Sequence, residues 1–202
     1  MKIIEQSHEI LDISENALKI IEVAGRTCYK SERNITKDSS EKFVKMLINR
    51  GHHAMIEFAD VTVKFITNRG ITHEFVRHRL CSYAQESTRY VRYNDIQYIK
   101  PYNFSEWSKS QKDIWEYSMR NSEKAYTDLL KQQLKPEIAR GVLPNDLKTE
   151  ICVKTNIREW RYIFKLRMSK QAHPQFRELL TPCLKSFKDK IPVLFDDLGD
   201  TL

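Results

Sequence analysis

The apolar residues of this chain change period along its length, and that change limits the folds open to it. Phe43, Val44, Met46 and Leu47 recur at helical spacing. From residue 59 the period drops to two, with Ala59, Val61, Val63 and Phe65 alternating with Asp60, Thr62 and Lys64. A half-buried strand requires this, because its successive side chains point to opposite faces of a sheet. The alternation returns at Leu147, Thr149, Ile151 and Val153, set against Lys148, Glu150, Cys152 and Lys154. Helical and strand periods follow one another with no internal repeat and no linker, so the chain reads as a single α+β domain over residues 1–202.

Punctuating residues supply the remaining elements. Ser14 ahead of Leu18, Ile20 and Ile21 predicts an N-capped helix ending near Gly25. Ser39 or Ser40 would cap the helix at 43–47, and Gly51 would close it. Asn68-Arg69-Gly70 reads as a turn and residues 71–79 as a short helix. A long polar helix is expected over 105–134, broken at Lys135-Pro136. Leu143-Pro144-Asn145-Asp146 makes a second break, and helices should follow at about 157–169 and 175–190.

Composition narrows the class. Cys28, Cys81, Cys152 and Cys183 are scattered with no Cys-x-x-Cys pair, so neither a zinc site nor a disulfide framework is implied. Free thiols fit a reducing cytoplasm. Glu5, His8 and Glu9 interrupt the first ten residues, and no run reaches membrane-spanning length. A soluble cytoplasmic protein is expected. The net charge of +7 admits nucleic acid, a phosphorylated metabolite or simply a lysine-rich solvated surface.

The densest chemical signal is Arg77-His78-Arg79 followed by Leu80-Cys81-Ser82-Tyr83-Ala84-Gln85-Glu86-Ser87-Thr88-Arg89-Tyr90. Three consecutive cationic or ionisable side chains cannot share one helix face, because neighbours fan about 100° apart. Ser87, Thr88 and Arg89 combine hydroxyls with a guanidinium fork, a set suited to phosphate. A basic surface turn fits the same charge density. In the helix after Asn156, Trp160, Ile163 and Phe164 mark a buried stripe, and Arg167 continues it. A guanidinium there needs a partner. An ion pair with Glu150 or Glu178 and a bound ligand both answer. His52 and His53, or His73 and His78, have no metal-site spacing, and no phosphate-binding glycine loop occurs.

Arg77, His78, Arg79, then seven residues, Ser87 and Arg89 resemble the signature of the flavin-dependent thymidylate synthases. Arg26-Thr27-Cys28-Tyr29, Gly51-His52 with Glu57, Ala139-Arg140-Gly141-Val142-Leu143-Pro144, and Asn156, Arg158, Arg167 with Ala172-His173-Pro174-Gln175 resemble further segments of that family, in order. The resemblance implies a mostly antiparallel sheet packed by helices. It implies an enzyme that methylates dUMP to dTMP with methylenetetrahydrofolate as carbon donor and FAD reduced by NADPH, working as a homotetramer with shared sites. It places Arg77, His78, Arg79, Gln85, Asn156, Arg158, Tyr162, His52, Ala54 and His173 at the flavin and folate. Glu74, Ser87, Thr88, Arg89 and Arg140 would meet the nucleotide, with Arg140 reaching it from a neighbouring subunit.

Arg167 would bind the uracil ring and stabilise its ionised form as the catalytic group. Three positions depart from the family pattern: Glu74 stands where Gln is common, Gln85 where Glu is common, and Tyr162 where Asn is common. Cys81 lies inside the motif but at no position the family requires, and is read as a packing residue. Neither a nucleic acid nor a membrane is expected as partner. The rival readings are a single-strand-binding module built on Tyr83, Tyr90 and Tyr93 among the cations of residues 77–92, and a family member that binds flavin without turnover.

Overall fold

The computed structural model describes residues 1–199. In chain order the elements are β1 (Lys2–Ile4), β2 (Ser7–Ile13), α1 (Ala17–Thr27), α2 (Ser39–Asn49), β3 (Asp60–Asn68), α3 (Arg69–Phe75), β4 (Ser82–Gln85), β5 (Gln97–Ile99), α4 (Lys109–Lys131), α5 (Pro136–Ala139), β6 (Lys148–Asn156), α6 (Ile157–Arg167), α7 (Pro174–Lys190) and α8 (Pro192–Phe195). No helix among the described residues is long and apolar enough to cross a membrane.

The main sheet has the order β2-β3-β6-β4. Bonds at the strand ends fix its direction. Ser14 N donates to Asp60 O while Thr67 Oγ1 donates to Gln6 Oε1, so β2 and β3 run antiparallel. Ile157 N bonds Ala59 O and Arg69 N bonds Leu147 O, which makes β3 and β6 antiparallel as well. Glu86 N to Glu150 O and Thr155 Oγ1 to Leu80 O give the same sense to β6 and β4. The fold is thus the expected α+β class with an antiparallel main sheet. A small parallel pair, β1 with β5, stands apart from it. The alternation read in the sequence is obeyed: Val61, Val63, Phe65, Ile151 and Val153 are fully buried.

Both long strands end in an asparagine that starts a helix. Asn68 Oδ1 accepts Ile71 N at 2.8 Å, and Asn156 Oδ1 accepts Glu159 N at 2.9 Å. Each side chain satisfies one of the four backbone donors that a helix leaves unpaired at its start. This cap corrects two expectations. Asn68-Arg69-Gly70 is no turn, because the helix begins at Arg69, and that helix ends at Phe75 instead of reaching residue 79. Ser14 does not cap α1 either, since its hydroxyl donates to Asp60 Oδ1 and accepts Asp60 N. The residue before α1 is Asn16, in the left-handed region at φ 55°.

The chain divides into two compact units. The first comprises Met1–Ser7, Phe65–Arg77 and Ala84–Ile151. Its core gathers Ile96, Tyr98, Met119, Tyr126, Ala139 and Leu147. The buried Tyr98 hydroxyl donates to Met119 O, and Asp146 accepts from both Asn68 Nδ2 and Trp115 Nε1. The long helix α4 opens on a capping box in which Ser108 and Gln111 exchange hydrogen bonds.

Among the described residues, the second unit comprises His8–Lys64, His78–Tyr83 and residues 152–199. Its core is aromatic, with Trp160, Phe164, Phe187 and Phe195 meeting at centroid distances of 4.9–5.9 Å. Such stacked, tilted and edge-on pairs add to the burial they provide. Trp160 Nε1 donates to Val61 O, tying α6 to β3. Arg161 is buried and forms a two-pronged pair with Asp197 while also donating to Leu194 O.

Candidate active site

The Arg-His-Arg segment resolves as the fan that successive side chains must make. Arg77 and Arg79 are exposed, and His78 between them is 5 % exposed. His78 Nε2 accepts from Arg167 Nε at 3.0 Å, and its Nδ1 lies 3.2 Å from Glu159 Oε1. Tyr83 donates its hydroxyl to His78 O, and the Tyr162 ring stands edge-on to the imidazole at 5.9 Å. Burial and the Arg167 cation hold the His78 pKa down at about 4, so the ring is neutral near pH 7. Burial raises the Glu159 carboxyl.

Helix α6 positions both partners of His78. Asn156 caps it, Glu159 lies in its first turn and Arg167 closes its last, an order that suits the helix dipole. Arg167 is half-buried, with its guanidinium 5.5 Å from the centre of the Phe176 ring. Arg158 is exposed and donates to Glu57 Oε1 at 2.6 Å, so two residues of separate family-like segments meet. His173 is exposed and caps α7, its Nδ1 accepting Gln175 N.

A cavity of about 270 Å³ is lined by Gly25, Cys28, Tyr29, Leu47, His52, Ala54 and Met55. It joins the early Arg-Thr-Cys-Tyr segment to the Gly-His segment. Gly51, at φ +72°, makes the turn that delivers His52 there, after which His52 N bonds Leu47 O.

The remaining candidates lie in the first unit. Arg140 Nη1 donates to Thr88 Oγ1 at 2.8 Å, and Arg89 N bonds Ser87 Oγ. Thr88 is buried, Ser87 and Arg140 are half-buried, and Arg89 is exposed, packed over the Tyr90 ring at 5.3 Å and 4.0 Å from Glu137. Arg140 thus stands beside Thr88 of its own chain. Gln85 Nε2 donates to Thr72 Oγ1 and Thr149 Oγ1, so its amide is held inside the unit. Glu74 lies in the last turn of α3, half-buried.

A family model described as thymidylate synthase complementing protein, Thy1, matches residues 9–193. The chain belongs to the Thy1 family of flavin-dependent thymidylate synthases. The flavin-dependent thymidylate synthase of Mycobacterium avium (strain 104) is 33% identical over 197 residues, covering 88% of this chain and 78% of that one. That of Corynebacterium aurimucosum is 30% identical over 199 residues, covering 90% and 80%. The crystal structure of a UMP/dUMP methylase, PolB, from Streptomyces cacaoi bound with 5-Br dUMP shares the fold, with a TM-score of 0.79, 19% identity, and coverage of 97% of this chain and 96% of that one. This is an enzyme family of methyltransferases.

Within the Thy1 chain, sequence reasoning missed Glu159. The signal it carried, an acidic residue three positions after Asn156, reads as a capping box and not as a partner of His78. The box does not close, because the Glu159 carboxylate turns to His78.

Proposed function

We propose that this protein is a thymidylate synthase whose residues 1–202 act as one catalytic domain in the cytoplasm. It methylates dUMP to dTMP, with methylenetetrahydrofolate as carbon donor and FAD reduced by NADPH. The observation that carries the reading is the bond between His78, inside the Arg-His-Arg motif, and Arg167, 89 residues further on. Two independent sequence clues meet in one partly buried hydrogen bond.

The side chains fit a flavin dinucleotide. A diphosphate asks for cations, and Arg79 and Arg158 are exposed. A flat ring system asks for apolar and aromatic neighbours, which the cavity at His52 and Ala54 and the Tyr162 ring offer. Asn156 and His173 contribute at the helix starts, and the family pattern adds Arg77 and Gln85. When bound, the flavin supplies the reducing equivalents, and the protein supplies position and electrostatics. Ser87, Thr88, Arg89 and Arg140 hold the nucleotide phosphate, and Glu74 lies on the nucleotide side. Arg167 places its guanidinium at the pyrimidine and stabilises negative charge as C5 becomes nucleophilic. The two groups of side chains complete one another across the subunits of a homotetramer.

The test is dTMP formation by purified protein given FAD, NADPH, methylenetetrahydrofolate and dUMP. Product that depends on flavin is expected. No product despite bound FAD and bound dUMP would mark a member without turnover, and no flavin binding at all would refute the reading.

A further inference from the structure

Glu159, His78 and Arg167 form one line of hydrogen bonds inside the second unit. The direction of each bond follows from chemistry. An arginine Nε carries a hydrogen and offers no lone pair, so His78 Nε2 must accept and must be bare. A neutral imidazole then carries its single proton on Nδ1, which faces the Glu159 carboxylate at 3.2 Å. The opposite tautomer would turn Nε2–H against the Arg167 Nε–H, two donors with nothing between them. Protonated imidazole fails for the same reason, and burial keeps the ring neutral. The contact is therefore a hydrogen bond from a neutral ring to a buried acid, not an ion pair.

We propose that Glu159 is a positioning residue. By accepting the Nδ1 proton it fixes the His78 tautomer whose Nε2 holds the Arg167 Nε–H, and so sets the plane in which the Arg167 guanidinium meets a pyrimidine nucleotide. The proposal rests on the reading of Arg167 as the pyrimidine-binding group. It extends to this site the general rule that the partner of one ring nitrogen dictates what the other can do. Tyr83, which bonds the His78 carbonyl, and the Tyr162 ring steady the imidazole without choosing its tautomer.

The deciding measurement is a long-range proton–nitrogen spectrum of the His78 ring in 15N-labelled protein with FAD added and nucleotide absent, near pH 7. Protonated Nδ1 and bare Nε2 are expected, and a ring protonated at Nε2 overturns the proposal without need of a variant. Two substitutions then test the consequence. Glu159→Gln keeps an acceptor oxygen, so the tautomer should be kept and dUMP affinity should stay within about 3-fold. Glu159→Leu leaves the Nδ1 proton with no acceptor, so the ring should shift to the Nε2–H form, break its contact with the Arg167 Nε–H and weaken dUMP binding by about 10- to 100-fold, the range of a hydrogen bond to a charged group. FAD affinity should hold in both.

Equal losses in the two variants, or unchanged dUMP affinity in a Glu159→Leu protein whose ring has switched, overturn it. A parent protein with the expected ring that binds no dUMP overturns the nucleotide reading beneath it. That failure is told apart because the spectrum is recorded without nucleotide.

Discussion

Arg167 commits its Nε–H to His78, and this commitment decides how its substitutions should behave. Alanine removes both the guanidinium and the donor that His78 Nε2 needs in a buried place. Lysine keeps the charge but has neither the planar fork nor an Nε–H in the same position. Both Arg167→Ala and Arg167→Lys should therefore lower the rate of dTMP formation by about 10²–10³-fold, as when one oxyanion-type donor is removed, while FAD titration stays near the parent's. Near-normal turnover in either variant would take Arg167 out of the chemistry. Cys81 is the contrasting residue. Burial raises its thiol, which keeps it from the thiolate form a nucleophile needs. Cys81→Ala should retain turnover in the same assay, and its loss with flavin still bound would return the thiol to the mechanism.

Elements defined by local periodicity were legible before the structure: β3, β6, α2, α4, α6 and α7 lie where apolar spacing and breakers put them. Gly51 closes α2 as expected, at φ +72°, with nothing within 4 Å of where a Cβ would sit. Gly51→Ala thus meets no clash and pays only for left-handed backbone, about 1 kcal/mol. A melting temperature lower by about 2–4 °C is expected for a chain of this size, and a larger drop would mean that the His52 turn itself had been lost.

What the sequence hid depends on distant partners. Ser14 looked like a cap until Asp60 claimed its hydroxyl. The short strands β1 and β5 pair in parallel across some ninety-five residues, a register that three-residue segments do not advertise. In the site, Arg167 and the Arg-His-Arg segment could be named from pattern. That His78 is the group joining Arg167 to Glu159 could not, because nothing along the chain places residues 78, 159 and 167 side by side.

At the scale of the whole molecule, acid stability has a predictable sign. His8, His53 and His78 are all held below the ordinary imidazole value of 6.5, chiefly by burial, His78 as far as about 4. A base whose folded pKa is depressed binds its proton more readily when unfolded. Stability therefore rises with pH through that window and is lost as pH falls from 6.5 toward 4. Glu159 opposes this, since burial raises its carboxyl and protonation then favours the folded chain. Asp197, held low by Arg161, gives up its contribution only below the ordinary carboxylate range, outside the window.

Three imidazoles against one carboxyl set the direction on the acid side. On the alkaline side, burial raises Cys81, Cys183, Tyr83, Tyr93 and Tyr98, so the unfolded chain releases those protons first and stability falls from about pH 9 upward. Thermal denaturation from pH 5 to 10 should give a plateau between about 6.5 and 9, with melting temperatures falling on both sides. A melting temperature that climbs from pH 7 to pH 5 would show that the Glu159 carboxyl outweighs the imidazoles. Repeating the series with Glu159→Gln separates the two contributions, because the variant keeps the buried ring and removes the acid: its acid limb should be steeper than the parent's.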